Sequence, residues 1–270
     1  MRRSRFLTGW LAGGLVFLYA PITLLAAMSF NGSRLTTVWT RFSLRWFVAL
    51  AQDSALMEAA WLSLRIAVVS ASAAMVLGGL AGAALAQLGG FRLRAVFAGL
   101  LAAPVVLPDL LIGLALLLLF VTLGELMGWP IARGTGTIIL AHTTVGMAFV
   151  AVVVEARLAG ADRALEEAAM DLGASPVRAF RDITLRTMAP ALGAGWLLAF
   201  TLSLDDVVIA SFVSGPGAST LPMVVFSMLR LGPTPVLNAL ATVFLGLVGC
   251  VLFGVWRLTR GRVAGAGSPD

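Results

Sequence analysis

Six long apolar segments, separated by shorter polar connections, organise the chain: Phe6–Met28, Ala59–Leu88, Ala95–Leu123, Thr135–Val154, Ala191–Val213 and Val236–Leu258. Each is near or above the ~20 residues a helix needs to cross the hydrocarbon core of a bilayer. Lipid satisfies no backbone N–H or C=O group, so runs of this length predict helices. The expected architecture is all-α, a polytopic membrane protein with six transmembrane helices. The second and third segments are long enough to tilt or to extend beyond the membrane. Gly78 and Gly82 form a GxxxG pair in the second, which predicts close helix packing. Pro104 and Pro108 in the third are candidates for a local helix break.

The longest connection, Glu155–Pro190, carries its own helix signals. Asp162 can cap a short helix over Arg163–Leu172, and Gly173 ends it as the residue beyond the C-cap. Ser175 then caps a second helix with Pro176 at its first position, where a missing N–H costs nothing. In that helix Val177, Phe180, Ile183 or Thr184, and Met188 fall near one face, while Arg178, Asp182 and Arg186 are spaced to pair. Two capped helices meeting at Gly173 predict an elbow whose apolar face docks on its own bundle or on a separate cytoplasmic protein.

Composition agrees with a lipid solvent. The chain is 60% hydrophobic and 12% charged, with a mean hydropathy of +0.98; a soluble domain carries about twice that share of charge. All 19 basic residues are Arg. With the N-terminus in the cytoplasm, thirteen Arg fall inside and five outside (Arg34, Arg41, Arg45, Arg133 and Arg230), while Arg65 snorkels outward. Both termini are therefore expected inside. The first apolar run exceeds the h-region of a signal peptide and reads as a retained anchor. Trp39, Trp46 and Trp61 are expected mainly as interfacial anchors.

The absence of Lys excludes a Walker A loop. Cys250 reads as a buried small hydrophobe. His142 is the single His, too few for a zinc site, and no Ser/His/Asp set is credible around it; no catalytic residue, metal or cofactor is expected. The informative polar groups are intramembrane carboxylates, because a charge at the bilayer centre costs at least ~2.5 kcal/mol and so faces a cavity or a partner. Asp109 lies roughly 20 Å along the third segment, and Asp205 and Asp206 reach a similar depth in the fifth. Three carboxylates at one level suit a multiply charged organic cation. Adjacent helical residues point ~100° apart, so Asp205 and Asp206 cannot both face one spot; one of them can pair with Arg65 or bond across a subunit interface. Glu58 and Glu125 near the outer rim are expected to be solvated.

The elbow also carries a resemblance. Glu167-Ala168-Ala169, then Gly173, then Ile183 is similar to the EAA loop of ABC-importer permeases, departing from it at Arg186, where the family usually has Pro. Leu165–Pro176, Ala199–Ala210, Phe212–Gly217, Tyr19–Ile22 and Ser29–Asn31 resemble the spermidine/putrescine-type permeases, most closely the second of that system's two. The resemblance covers nearly the whole chain. It implies the type I ABC-importer permease fold, with an N-terminal transmembrane helix and periplasmic loop at 1–56, a permease core at 57–258 and a cytoplasmic tail at 259–270. It further implies a partner ATPase dimer in the cytoplasm, a second homologous permease and a periplasmic solute-binding protein. Glu167, Ala168, Ala169, Gly173 and Ile183 would be the ATPase-coupling residues, and Asp109, Asp205 and Asp206 the substrate-pathway residues for a polyamine. The same machine importing another solute remains open, as does a secondary transporter or channel; the latter needs no EAA loop.

Overall fold

The computed structural model describes residues 5–35, 38–162 and 164–265, with side chains described from Phe6 to Cys250 and at Phe253 and Arg257. The helices in chain order are α1 (Arg5–Ser29), α2 (Arg45–Gln52), α3 (Ser54–Gln87), α4 (Arg94–Val106), α5 (Asp109–Met127), α6 (Thr135–Ala159), α7 (Ala164–Asp171), α8 (Pro176–Ala179), α9 (Leu185–Asp205), α10 (Val208–Val213), α11 (Leu221–Leu231) and α12 (Pro235–Gly265). A π-helical turn, Phe180–Thr184, joins α8 to α9. Among the described residues the only paired extended backbone is an isolated bridge, Asn31 to Phe42. The chain divides into two compact units, 1–57 with 227–270, and 58–226.

In the first unit α1 and α2 pack on α12. From Phe6 to Leu24 every α1 side chain is exposed, Phe17 at 85%. An apolar helix exposed all round is explained by lipid, not water. The loop after α1 is built around buried Asn31. Its side-chain amide donates to the Val38 carbonyl at 2.6 Å, and its side-chain oxygen accepts from the amides of Thr40 at 2.9 Å and Ser33 at 3.2 Å. Trp46, expected as an interfacial anchor, instead donates its indole N–H to the Asn31 carbonyl at 2.7 Å, with the Arg45 guanidinium 4.1 Å from its ring. Trp39 and Trp61 are exposed. Cys250 is exposed as well, correcting its expected burial, because the stretch 243–250 of α12 is exposed on every side.

In the second unit α6 is the central post. Ile138, Ala141, Ala148, Val150 and Val154 along it are fully buried. It packs most extensively on α9 and also against α4 and α10. The approach of α3 to α6 is set by glycine: a β-carbon at Gly82 would stand 2.5 Å from the Ala151 carbonyl oxygen, and one at Gly78 would meet the Met147 carbonyl. Gly146 on α6 faces Ala74 and Ala199, so small residues let three helices converge.

Two expected continuous spans are broken. The third is α4 followed by α5. Leu107 is extended (ψ 143°), as the residue before a proline favours, and Pro108 then precedes the first turn of α5. Pro104, the other candidate, stays inside α4. The fifth is α9 followed by α10, interrupted at Asp206, where the backbone is extended (ψ 126°). The remaining segments lie within α1, α3, α6 and α12, except that Leu88 falls just past the end of α3. Among the described residues five helical stretches reach spanning length and apolarity, and in α12 the described apolar stretch is Pro235–Cys250.

The elbow forms as its caps predict. The Ala164 amide donates to the Asp162 carboxylate at 2.9 Å; Arg163 lies outside the described residues. Gly173 has φ +89°, a left-handed conformation that a β-carbon disfavours. Its N–H reaches the Met170 carbonyl at 2.9 Å, and the Ala174 N–H reaches Ala169 at 3.0 Å, the paired bonds of a Schellman C-cap. The Arg178 amide donates to Ser175 Oγ at 3.4 Å. The second arm does not end at Met188 but runs into α9. Its π turn widens the register, so Asp182 pairs with neighbouring Arg181 at 2.9 Å rather than with Arg178 or Arg186.

Candidate functional site

Both helix breaks open on one cavity in the second unit. It has a volume of about 360 Å³ and is lined by Asp109, His142, Phe149, Ser203, Asp205 and Asp206 among others. Asp109 arrives there because α5 restarts at that residue. Gly113, one turn on, holds α5 against α10: a β-carbon at Gly113 would stand 2.7 Å from the Phe212 ring and 3.3 Å from the Ile209 Cα. Asp205 is the last residue of α9. Asp109 and Asp205 are exposed to the cavity, whereas Asp206 is partly buried.

Asp206 has its own partners. Its Oδ1 accepts from the Ile209 amide at 3.1 Å, and its Oδ2 from the Ala210 amide at 2.7 Å. These orphan N–H groups at the start of α10 favour a carboxylate. Oδ2 also accepts from His142 Nε2 at 3.1 Å. The partner is therefore His142, not Arg65. Because an ionised carboxylate only accepts, Nε2 carries the proton, and in the neutral ring Nδ1 accepts from Ser203 Oγ at 2.6 Å. Ser70 on α3 donates to Ser203 in turn at 3.2 Å.

Sequence reading kept Ser203, His142 and Asp206 apart, since nothing local signals contacts across 61 and 64 residues. They nevertheless form a Ser–His–Asp line. Ser203 is buried with its hydroxyl engaged on both sides, by Ser70 and His142, so the line ties α3, α6, α9 and α10 together. The usable signal was the lone imidazole in an apolar run, which needs two polar partners when buried.

At the elbow, Glu167, Ala168 and Gly173 are exposed and Ala169 and Ile183 half-buried. The preceding carboxylate, Glu166, accepts from Gln87 Nε2 at 2.8 Å, and Gln87 also donates to Thr184 Oγ1 at 3.2 Å. The last residue of α3 thus holds both arms, a contact the sequence did not suggest. Leu172 and Val177 are 90% and 78% exposed, so the tip of the elbow is apolar and uncovered. Among the described residues no three His, Cys, Asp or Glu side chains are grouped to hold a metal ion.

A helical membrane bundle with broken helices around a charged cavity and a capped elbow defines a transport component. Residues 74–258 match the family described as binding-protein-dependent transport system inner membrane component, and the chain belongs to that family. It is 56% identical over 245 residues to the putrescine transport system permease protein PotI of Escherichia coli (strain K12), covering 91% of this chain and 87% of that one. It is 38% identical over 257 residues to the spermidine/putrescine transport system permease protein PotC of the same strain, covering 95% of each. Its fold is that of a chain from a bacterial ABC transporter involved in the import of alginate, with a TM-score of 0.67, 15% identity and coverage of 97% of this chain and 98% of that chain. The protein is thus a multi-pass inner-membrane permease component of an ABC transport system, not its catalytic subunit.

Proposed function

We propose that this chain forms half of the translocation pathway for a small organic polycation of the putrescine or spermidine class, within an ATP-driven importer. The observation that carries this reading is the cavity: Asp109 and Asp205 open into it, and no Arg is among the residues lining it. Its volume falls in the ~300–1,000 Å³ range of small-molecule sites. An ammonium group leaving water needs a compensating charge, and carboxylates that do not converge on one point suit an elongated cation better than a metal ion. The 56% identity to a permease named for putrescine supports the same class.

Asp206 is the structural member of the three, because two amides and an imidazole already occupy its oxygens. On this reading Glu167, Ala168, Ala169, Gly173 and Ile183 couple the permease to a dimer of cytoplasmic ATPase subunits, which seat on the apolar tip at Leu172 and Val177. A second homologous permease completes the pathway, and a periplasmic binding protein delivers the solute; a solved alginate importer of this fold carries a periplasmic protein of that kind. The Arg distribution supports both termini in the cytoplasm.

The test is uptake of labelled putrescine and spermidine by the reconstituted complex, normalised to assembled protein. Asp109→Asn and Asp205→Asn should each cut uptake about tenfold while assembling normally, since a hydrogen bond to a charged group is worth about 1.5 kcal/mol or more. Asp206→Asn should instead lower the yield of complex. Wild-type uptake by both Asp109→Asn and Asp205→Asn removes the site assignment. A complex that moves another solute but no polyamine removes the substrate class.

A further inference from the structure

We propose that His142 is a positioning residue for the solute site: its imidazole staples Ser203, before the α9 break, to Asp206, after it, and so aims the intervening Asp205 into the cavity. The proposal rests on reading Asp205 as a solute contact.

The staple follows from the two ring nitrogens reaching opposite sides of the break. Nδ1 takes Ser203 Oγ at 2.6 Å and Nε2 takes Asp206 Oδ2 at 3.1 Å. Between them lies the end of α9, where the helical path stops at Asp205 and Asp206 turns extended. With Ser203 and Asp206 both bonded to α6, Asp205, between them, is left exposed and lining the cavity.

The ring itself is fixed. The His142 side chain is 3% exposed. One turn along α6, Gly146 allows α9 to approach: a β-carbon there would be 3.1 Å from the Ala199 Cβ. Behind Ser203 stands Ser70 of α3 at 3.2 Å. A chain of four polar side chains therefore holds the break, and only its His spans both sides. Without the Nε2 bond, Asp206 keeps its two α10 amides, so α10 stays capped. What is lost is the tether of that cap to α6, and with it the direction of Asp205.

Amide side chains separate the two bonds. Gln at 142 places an N–H near Nε2 and can still reach Asp206. Asn places its amide near Nδ1 and keeps only Ser203. The experiment is putrescine uptake by the reconstituted complex as a function of concentration, for wild type, His142→Gln, His142→Asn, His142→Leu and Asp205→Asn, on equal amounts of assembled protein. The expected result is a half-saturating concentration raised about tenfold in His142→Asn and His142→Leu, little changed in His142→Gln, with maximal uptake largely kept in all three. A purely structural His would lower the amount of assembled complex or the maximal rate and leave half-saturation where it is; that outcome overturns the proposal. Should His142→Leu fail to assemble, the Gln and Asn pair decides alone, equal half-saturation in the two being the contrary result. If Asp205→Asn behaves as wild type, Asp205 is no solute contact and this proposal falls with it, whatever Asp109→Asn shows for the rest of the site. If Asp205→Asn is impaired and His142→Asn is not, only the positioning role falls.

Discussion

Gly82, like Gly78, is a point where α3 backs directly onto the α6 backbone, and adding one methyl group there tests how the core is held. The new β-carbon would meet the Ala151 carbonyl oxygen at 2.5 Å, the Val154 Cβ at 3.0 Å and the Ala151 Cα at 3.1 Å. These are backbone atoms and the root of a buried side chain, so none can swing aside. A carbon–oxygen contact settles at about 3.3 Å, so Gly82→Ala must part the two backbones by about 0.8 Å. Overpacking of this kind costs about 1–3 kcal/mol, and the better helix propensity of Ala returns at most about 1 kcal/mol. Because the clash is with backbone atoms the upper part of that range applies, about 2–3 kcal/mol, and the net loss is about 1–2 kcal/mol, which for a unit of this size lowers Tm by about 3–6 °C. Thermal unfolding of the detergent-purified complex, followed by size-exclusion chromatography, reads the shift. Gly99→Ala on α4 is the control, because beyond the local backbone of its own helix nothing lies within 4 Å of its β-position. Gly78→Ala should behave like Gly82→Ala, and one outward movement of α6 relieves both, so the double variant should cost less than the sum of the two. Unfolding of Gly82→Ala at or above the wild-type temperature would refute the reasoning.

Two further outcomes test the elbow. Gly173→Val forces a β-branched residue into φ +89°, where even an unbranched one is strained by about 1–2 kcal/mol; the variant should bind the ATPase poorly and transport little, and normal assembly with normal uptake would remove the coupling role. A Cys placed at Ala174 in a Cys250→Ser background should be labelled by an impermeant maleimide only after the cells are opened, and labelling of intact spheroplasts would invert the proposed topology.

The helices and the elbow were largely legible in the sequence because their causes are local. Apolar runs of spanning length, Asp162 and Ser175 as caps, and Gly173 at a left-handed position each act within a few residues. The breaks were partly legible. Pro108 interrupts its span because its ring constrains Leu107, whereas Pro104 stays inside α4. Nothing in the run Ser203–Leu204–Asp205–Asp206 announces where α9 stops. That point is set by Asp206 capturing the amides of Ile209 and Ala210 and by an imidazole from another helix. The same distance in sequence hid Gln87 from Glu166, and the π turn at Phe180–Thr184 undid a charge pairing that assumed ordinary helical spacing.

The helical path from Pro176 to Asp205 has a mechanical consequence. Its 30 residues make a rod about 45 Å long, with the apolar tip of the elbow at one end and a cavity carboxylate at the other. A rod of that length is a lever: a tilt of only about 5° about one end carries the other through about 4 Å, roughly the width of a methylene chain. The π turn sits in the third nearest the elbow and Pro190 at the midpoint of the path. The compliant section is thus the elbow-side half of the rod, where force would enter, and the other half, from Ala191 to Asp205, can swing as one stiff arm.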